Sequence, residues 1–200
     1  MGFASDWLDS TRQILSSAGE FFQNENRRDG FGYPLKFAAF SFLLVGILNS
    51  LRTGVLGSGG LTSTAISLVS GIVGGLIGLF LGAAIIHLFV MLLGGENGYR
   101  ETLAALAYAS CISAVASLFL FVPVVGGIVN LVLGIFLIYV EIKGVEYFQG
   151  MSTGRAAAAV LLPATVLLLL IIALAFTGML AMLGAQGQIA GLQGSMPPAP

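Results

Sequence analysis

Charge is the scarcest commodity in this chain. Of 200 residues, 8 are Lys or Arg and 9 are Asp or Glu, so charged residues make up 8%, against about a quarter in ordinary soluble domains. The middle of every long apolar stretch lacks Asp, Glu, Lys and Arg altogether. A proton- or sodium-coupled transporter would have no charged relay to work with. A single cysteine, Cys111, excludes an intramolecular disulfide and reads as a small packing residue. The only histidine is His87, so no H-E-x-x-H zinc helix exists, and no G-x-S-x-G or P-loop is present. No catalytic residue, metal, cofactor or nucleic-acid site is assigned, and no enzyme is expected.

What fills the chain is apolar: hydrophobic residues make up 57%, running almost unbroken from Leu35 to Leu183. A helix needs about 20 such residues to cross ~30 Å of hydrocarbon, and the chain offers five stretches, near 35–51, 67–93, 101–121, 128–142 and 157–183. The expected fold is all-α, a five-helix transmembrane bundle behind a short amphipathic helix. Residues 1–32 form that helix and a linker, 33–183 the membrane domain, and 184–200 a Gly-, Gln- and Pro-rich tail with too little to bury, which reads as disordered. Leu61 to Ser70 is expected to extend past the membrane or lie along its face. Val122 to Gly127 reads as a turn, Glu141-Ile142-Lys143 as the end of span four, and Pro163 as a kink in span five.

Orientation follows from Lys and Arg in the short loops. With the N-terminus inside, that side collects seven (Arg12, Arg27, Arg28, Lys36, Arg100, Lys143, Arg155), and the far side only Arg52. Five spans then put the C-terminus outside. Residues Met1 to Asp6 have neither a basic start nor an apolar core of a cleavable signal. The first span is expected to be its own insertion signal, in the cytoplasmic membrane if the chain is prokaryotic.

Between Ser5 and Phe22, Trp7, Leu8, Ile14, Leu15, Ala18, Phe21 and Phe22 fall near one helical face. Two readings stand equal: a helix on the membrane surface, or one packed under the bundle. Gly74, Gly78 and Gly82 form a small stripe on span two, matched by Ala105, Ala109, Ser113 and Ser117 on span three. Such rows let helix backbones approach closely in lipid. They are expected to pack on each other; dimerisation through the glycines is the alternative.

His87 lies about two turns before the inner end of its span, and an ionisable group at that depth is a functional hypothesis by default. The plainer reading is a neutral imidazole hydrogen-bonded to a neighbouring helix. On the same side lie Glu96, Glu101, Glu141 and Glu146, which with Asn97, Arg100, Lys143 and Arg155 form one candidate polar cluster or a solvated loop surface. Pairing of His87 with Ser110, Ser113 or Ser117 in a hydrolase has no support in the spacing.

The run His87 to Gly95, then Gly98-Tyr99-Arg100-Glu101-Thr102-Leu103 and Ala107-Tyr108-Ala109, resembles the middle of the Yip domain family, the Ypt-interacting proteins. Val122 to Gly127, the Gly144-Val145-Glu146 turn, and Met151 to Ala156 leading to Leu161-Leu162-Pro163 follow in the same family order. The resemblance implies five spans with an inner N-terminus. Eukaryotic members act in transport between endoplasmic reticulum and Golgi, bind prenylated Rab-type GTPases and shape membranes. This chain has only a short N-terminal segment and is more similar to bacterial and archaeal members, so no GTPase-binding residue is carried over. Many of those relatives have a histidine near the position of Phe148 or Gln149 here. The expected role is a membrane organiser or scaffold with a cytoplasmic protein partner, the lipid bilayer as its medium and self-association as an option. A small lipid or solute transporter using the His87 region is the alternative.

Overall fold

The computed structural model describes residues 2–25, 32–56, 60–122, 124–166, 169, 172–173 and 176–177. Arg27 and Arg28, the second half of the expected fifth span and the expected disordered tail lie outside the described residues, apart from isolated positions of that span. Two compact units are present, Met1–Val160 and Leu161–Pro200. Among the described residues there is no strand, and four helical stretches are long and apolar enough to cross a membrane: Gly32–Gly54, Leu61–Leu92, Tyr99–Phe121 and Val125–Gln149.

Helix α1 covers Phe3–Asn24 and α2 Gly32–Leu56. The second crossing is α3 (Leu61–Val69), a π-turn (Ser70–Gly74) and α4 (Gly75–Leu92) in one line. Leu61–Ser70 is thus the start of a helix, not a surface strip. Helix α5 runs Tyr99–Leu118 with a 3₁₀ turn, Phe119–Phe121, and α6 runs Val125–Gln149. A shorter apolar helix, α7, spans Thr153–Val166 and continues through Pro163.

Helix α6 does not stop at Lys143. Gly144 stays helical because two neighbours crowd it: a Cβ there would stand 2.8 Å from the Ala105 Cβ and 3.1 Å from the Phe22 ring. The helix ends only at Gly150, whose φ of 64° is the left-handed conformation that glycine adopts freely. Sequence spacing had put a turn where a glycine serves close packing instead.

Helix α5 is the centre. Its residues Thr102 to Ile112 are buried on every side, by α2, α4 and α6 along its length and by α1. Helix α1 lies obliquely against the others through an aromatic seam. Trp7 sits 5.9 Å from Phe37 and 5.4 Å from Phe40, Phe21 sits 5.2 Å from Tyr108, and Phe22 sits 5.4 Å from Phe148. The Trp7 indole N–H donates to Ser41 Oγ (3.0 Å), and Thr11 lies buried beside Cys111. Of the two readings for the apolar face of α1, packing on the bundle accounts for Trp7, Ile14, Ala18, Phe21 and Phe22; Leu8 and Leu15 stay exposed.

The small-residue rows pair differently from expectation. Gly71 meets α2, with its Cβ position 2.5 Å from the Gly46 Cα, and Gly75 meets the Phe42 ring, whereas Gly74 and Gly78 face open space. Gly82 reaches only Leu106, 4.0 Å away. The core face of α4 is Leu79, Ala83, Ile86 and Val90. On α5, Ala105 faces Gly144 of α6, Ala109 is fully buried, and Ser113 and Ser117 line a cleft. The physical reason is phase: the wider π-turn delays everything after it, and a helix apolar all round offers no polar face from which to read rotation.

Val124 has φ 65° and ψ −63°, a conformation costly for a β-branched residue. Its side chain is 80% exposed, so no packing compensates. Val124→Gly is expected to stabilise the protein by about 1 kcal/mol, read as a rise in melting temperature in detergent.

Candidate functional site

Where α4 ends and α5 begins, Gly94 to Gly98 folds back onto the end of α6, and the contacts there are almost all hydrogen bonds. Gln149 is the hub and is wholly buried. Its amide oxygen accepts from the Asn97 backbone N–H (3.1 Å), and its amide nitrogen donates to Gly98 O (3.1 Å) and Thr102 Oγ1 (2.9 Å). Asn97 Nδ2 donates to Phe148 O (2.6 Å), and Glu96 N to Gln149 O (3.3 Å). Gly95 must be glycine because a Cβ there would run into the Val90 side chain and stand 3.2 Å from Gln149 Oε1. Gly94, at φ 81°, makes the reversal.

His87 joins this knot through Thr102, with Nδ1 3.0 Å from the hydroxyl oxygen. Donors and acceptors settle the proton order. Both Gln149 amide hydrogens are used, one on Gly98 O and one on Thr102 Oγ1. The threonine oxygen therefore accepts from glutamine and gives its own hydrogen to His87 Nδ1. The imidazole carries its proton on Nε2, half-buried and edge-on to the Tyr99 ring at 5.8 Å. Tyr99 in turn donates its hydroxyl to Phe80 O, 2.9 Å away.

The charged residues of the expected cluster do not converge on His87. Glu146 accepts from Lys143 Nζ (2.8 Å) and from Thr153 Oγ1 (2.8 Å), tying the end of α6 to the start of α7. Arg155 lies over Gly94, and Glu96 beside Gly150. Glu101 stands in the first turn of α5, with Arg100 before it. Glu141 is half-buried on α6 and has no hydrogen bond or ion pair among the described residues. Among the described residues no group of three or more His, Cys, Asp or Glu is placed to hold a metal ion. The serines raised for a hydrolase are elsewhere: Ser110 and Ser117 donate to carbonyls of their own helix, Ala107 O and Ala114 O.

Thr102 and Gln149 were missing from the expected cluster. Both are uncharged, and neither stands out in an apolar sequence. The usable signal was a long polar side chain at the end of a crossing helix beside Gly150, since a buried amide there needs partners. The position at which many relatives carry a histidine is therefore one hydroxyl away from His87.

No curated protein and no solved structure matches this chain. The model of the Yip1 domain matches residues 12–190, taking in the aromatic seam, the knot and all four crossings, and the chain belongs to the Yip1 domain family.

Proposed function

We propose that this chain is a non-enzymatic membrane organiser, a Yip-type bundle with its N-terminus in the cytoplasm, five crossings and a cytoplasmic surface for a protein partner. The observation that carries the reading is the Gln149 knot. Its polar groups are spent on one another, fixing the shape of two loops rather than presenting unpaired groups to a substrate. A buried, fully paired network rigidifies what it holds, which suits a docking surface better than a moving gate. The seven-to-one distribution of Lys and Arg supports the orientation. The outer side of α1, with Asp9, Arg12, Gln13 and Glu20 exposed, extends that surface.

Two measurements test this. In a Cys111→Ser background, Gln13→Cys is expected to react with a membrane-impermeant maleimide only from the cytoplasmic side and Ser63→Cys only from the opposite side; the reverse pattern overturns the orientation. In proteoliposomes, His87→Ala is expected to leave solute and lipid flux at background. A flux present in the parent chain and lost in His87→Ala, with the fold intact, would replace the organiser reading by transport.

A further inference from the structure

At its inner half the gap between α2 and α6 over α5 is filled by α1, and beyond α1 the same gap is empty. The empty part is a cleft of about 260 Å³ lined by α2, α5 and α6, including Asn49, Ile112, Ser113, Ser117, Asn130 and Gly134. Its floor is α1: Trp7 bonds to Ser41, one turn before Val45 of the cleft wall, and Thr11 lies beside Cys111, next to Ile112. The Thr11 hydroxyl is buried there without a hydrogen-bond partner.

The cleft differs from an ordinary lipid-facing surface in its polar groups. Ser117 and Asn130 satisfy their donors on their own helices, through Ala114 O (2.7 Å) and Gly126 O (2.8 Å). Among the described residues, neither the Asn49 amide nor the Ser113 hydroxyl has a partner. In hydrocarbon an unpaired amide costs several kcal/mol, so the occupant must bring acceptors. Asn130 lies five residues into α6 and Ser117 four residues before Phe121, so these groups sit within ~8 Å of the helix ends. That is the depth of a glycerolipid's ester groups when helix ends mark the interface. A helix from a second copy would present carbonyls already used in its own ladder.

We propose that this cleft binds one diacyl glycerolipid from the leaflet opposite the Gln149 end. Its ester carbonyls accept from Asn49 and Ser113, and one acyl chain runs past Gly134 down to the floor made by Trp7 and Thr11. Trp7 is the only tryptophan in the chain, which gives the test a single reporter. The full chain is reconstituted in phosphatidylcholine vesicles with an increasing fraction of phosphatidylcholine brominated mid-chain. Trp7 emission should fall along a saturating curve at low mole fraction. A Cβ at Gly134 meets nothing within 4 Å, so Gly134→Phe enters the cleft; it should abolish the saturable phase with the Trp7 emission maximum unchanged. Asn49→Ala should move saturation several-fold higher, which keeps the test open if the phenylalanine variant fails to fold. Quenching that rises linearly and equally in all three chains means bulk lipid only and overturns the proposal. So does disulfide linkage between copies through Gly134→Cys in a Cys111→Ser chain, which would seat a second copy in the cleft.

Discussion

Gln149→Leu is expected to lower stability by about 4 kcal/mol, the largest effect of any single polar change in this protein. Leucine fills the space but offers nothing to the Asn97 N–H or the Gly98 carbonyl, each of which is left in a site with no water. An unmet buried group costs about 1–3 kcal/mol, and two are created at once. The third bond, to Thr102, can be given up more cheaply because a hydroxyl rotates. The check is equilibrium unfolding of the purified protein in mixed micelles of increasing denaturing detergent. Thr102→Val gives the comparison: it removes a donor from His87 Nδ1 and an acceptor from Gln149, and should cost about 1–2 kcal/mol. Because both changes break the same Gln149–Thr102 bond, the double variant should lose less than the two losses added. Strict additivity would mean that the two residues do not share a network.

The membrane class and the approximate crossings were legible because they depend on composition and length alone. A stretch of apolar residues long enough to span says so without reference to any neighbour. The end of α6 was not legible in that way. Gly144 and Gly150 look equally able to end a helix, and only the approach of Ala105 and Phe22 shows that the first is a contact and the second a cap. The polar end of the bundle was read half correctly. His87 was a candidate because it is singular, and its neutral, hydrogen-bonded alternative matches the bond to Thr102. The glutamates drew attention because charge is conspicuous in such a sequence. Yet Glu146 serves a helix junction and Glu141 stands apart, while the residue at the hub carries no charge at all. In a chain this apolar, a buried amide carries as much structural information as a carboxylate and is harder to notice.

Gly71→Ala is expected to destabilise the protein by about 3 kcal/mol, while Gly78→Ala should leave it unchanged or slightly more stable. The two glycines are seven residues apart on one continuous helical crossing and are indistinguishable by sequence. A methyl at Gly71 would stand 2.5 Å from the Gly46 Cα and 2.9 Å from its nitrogen. Those atoms are backbone, so no side chain can swing aside; α2 and the π-turn must separate, with a cost at the upper end of the usual 1–3 kcal/mol for overpacking. Separation would also strain the polar rungs beside it, Ser50 Oγ to Thr64 O (2.9 Å) and Thr53 Oγ1 to Ser67 Oγ (3.1 Å). At Gly78 the methyl meets open space, and alanine gains up to ~1 kcal/mol of helix propensity. The same micellar unfolding measurement reads both. If Gly78→Ala is instead the damaging change, and the loss depends on protein concentration, the outward glycines are a contact between copies. The alanine pair therefore separates close packing within the chain from self-association, two uses of the same small residue that spacing alone left open.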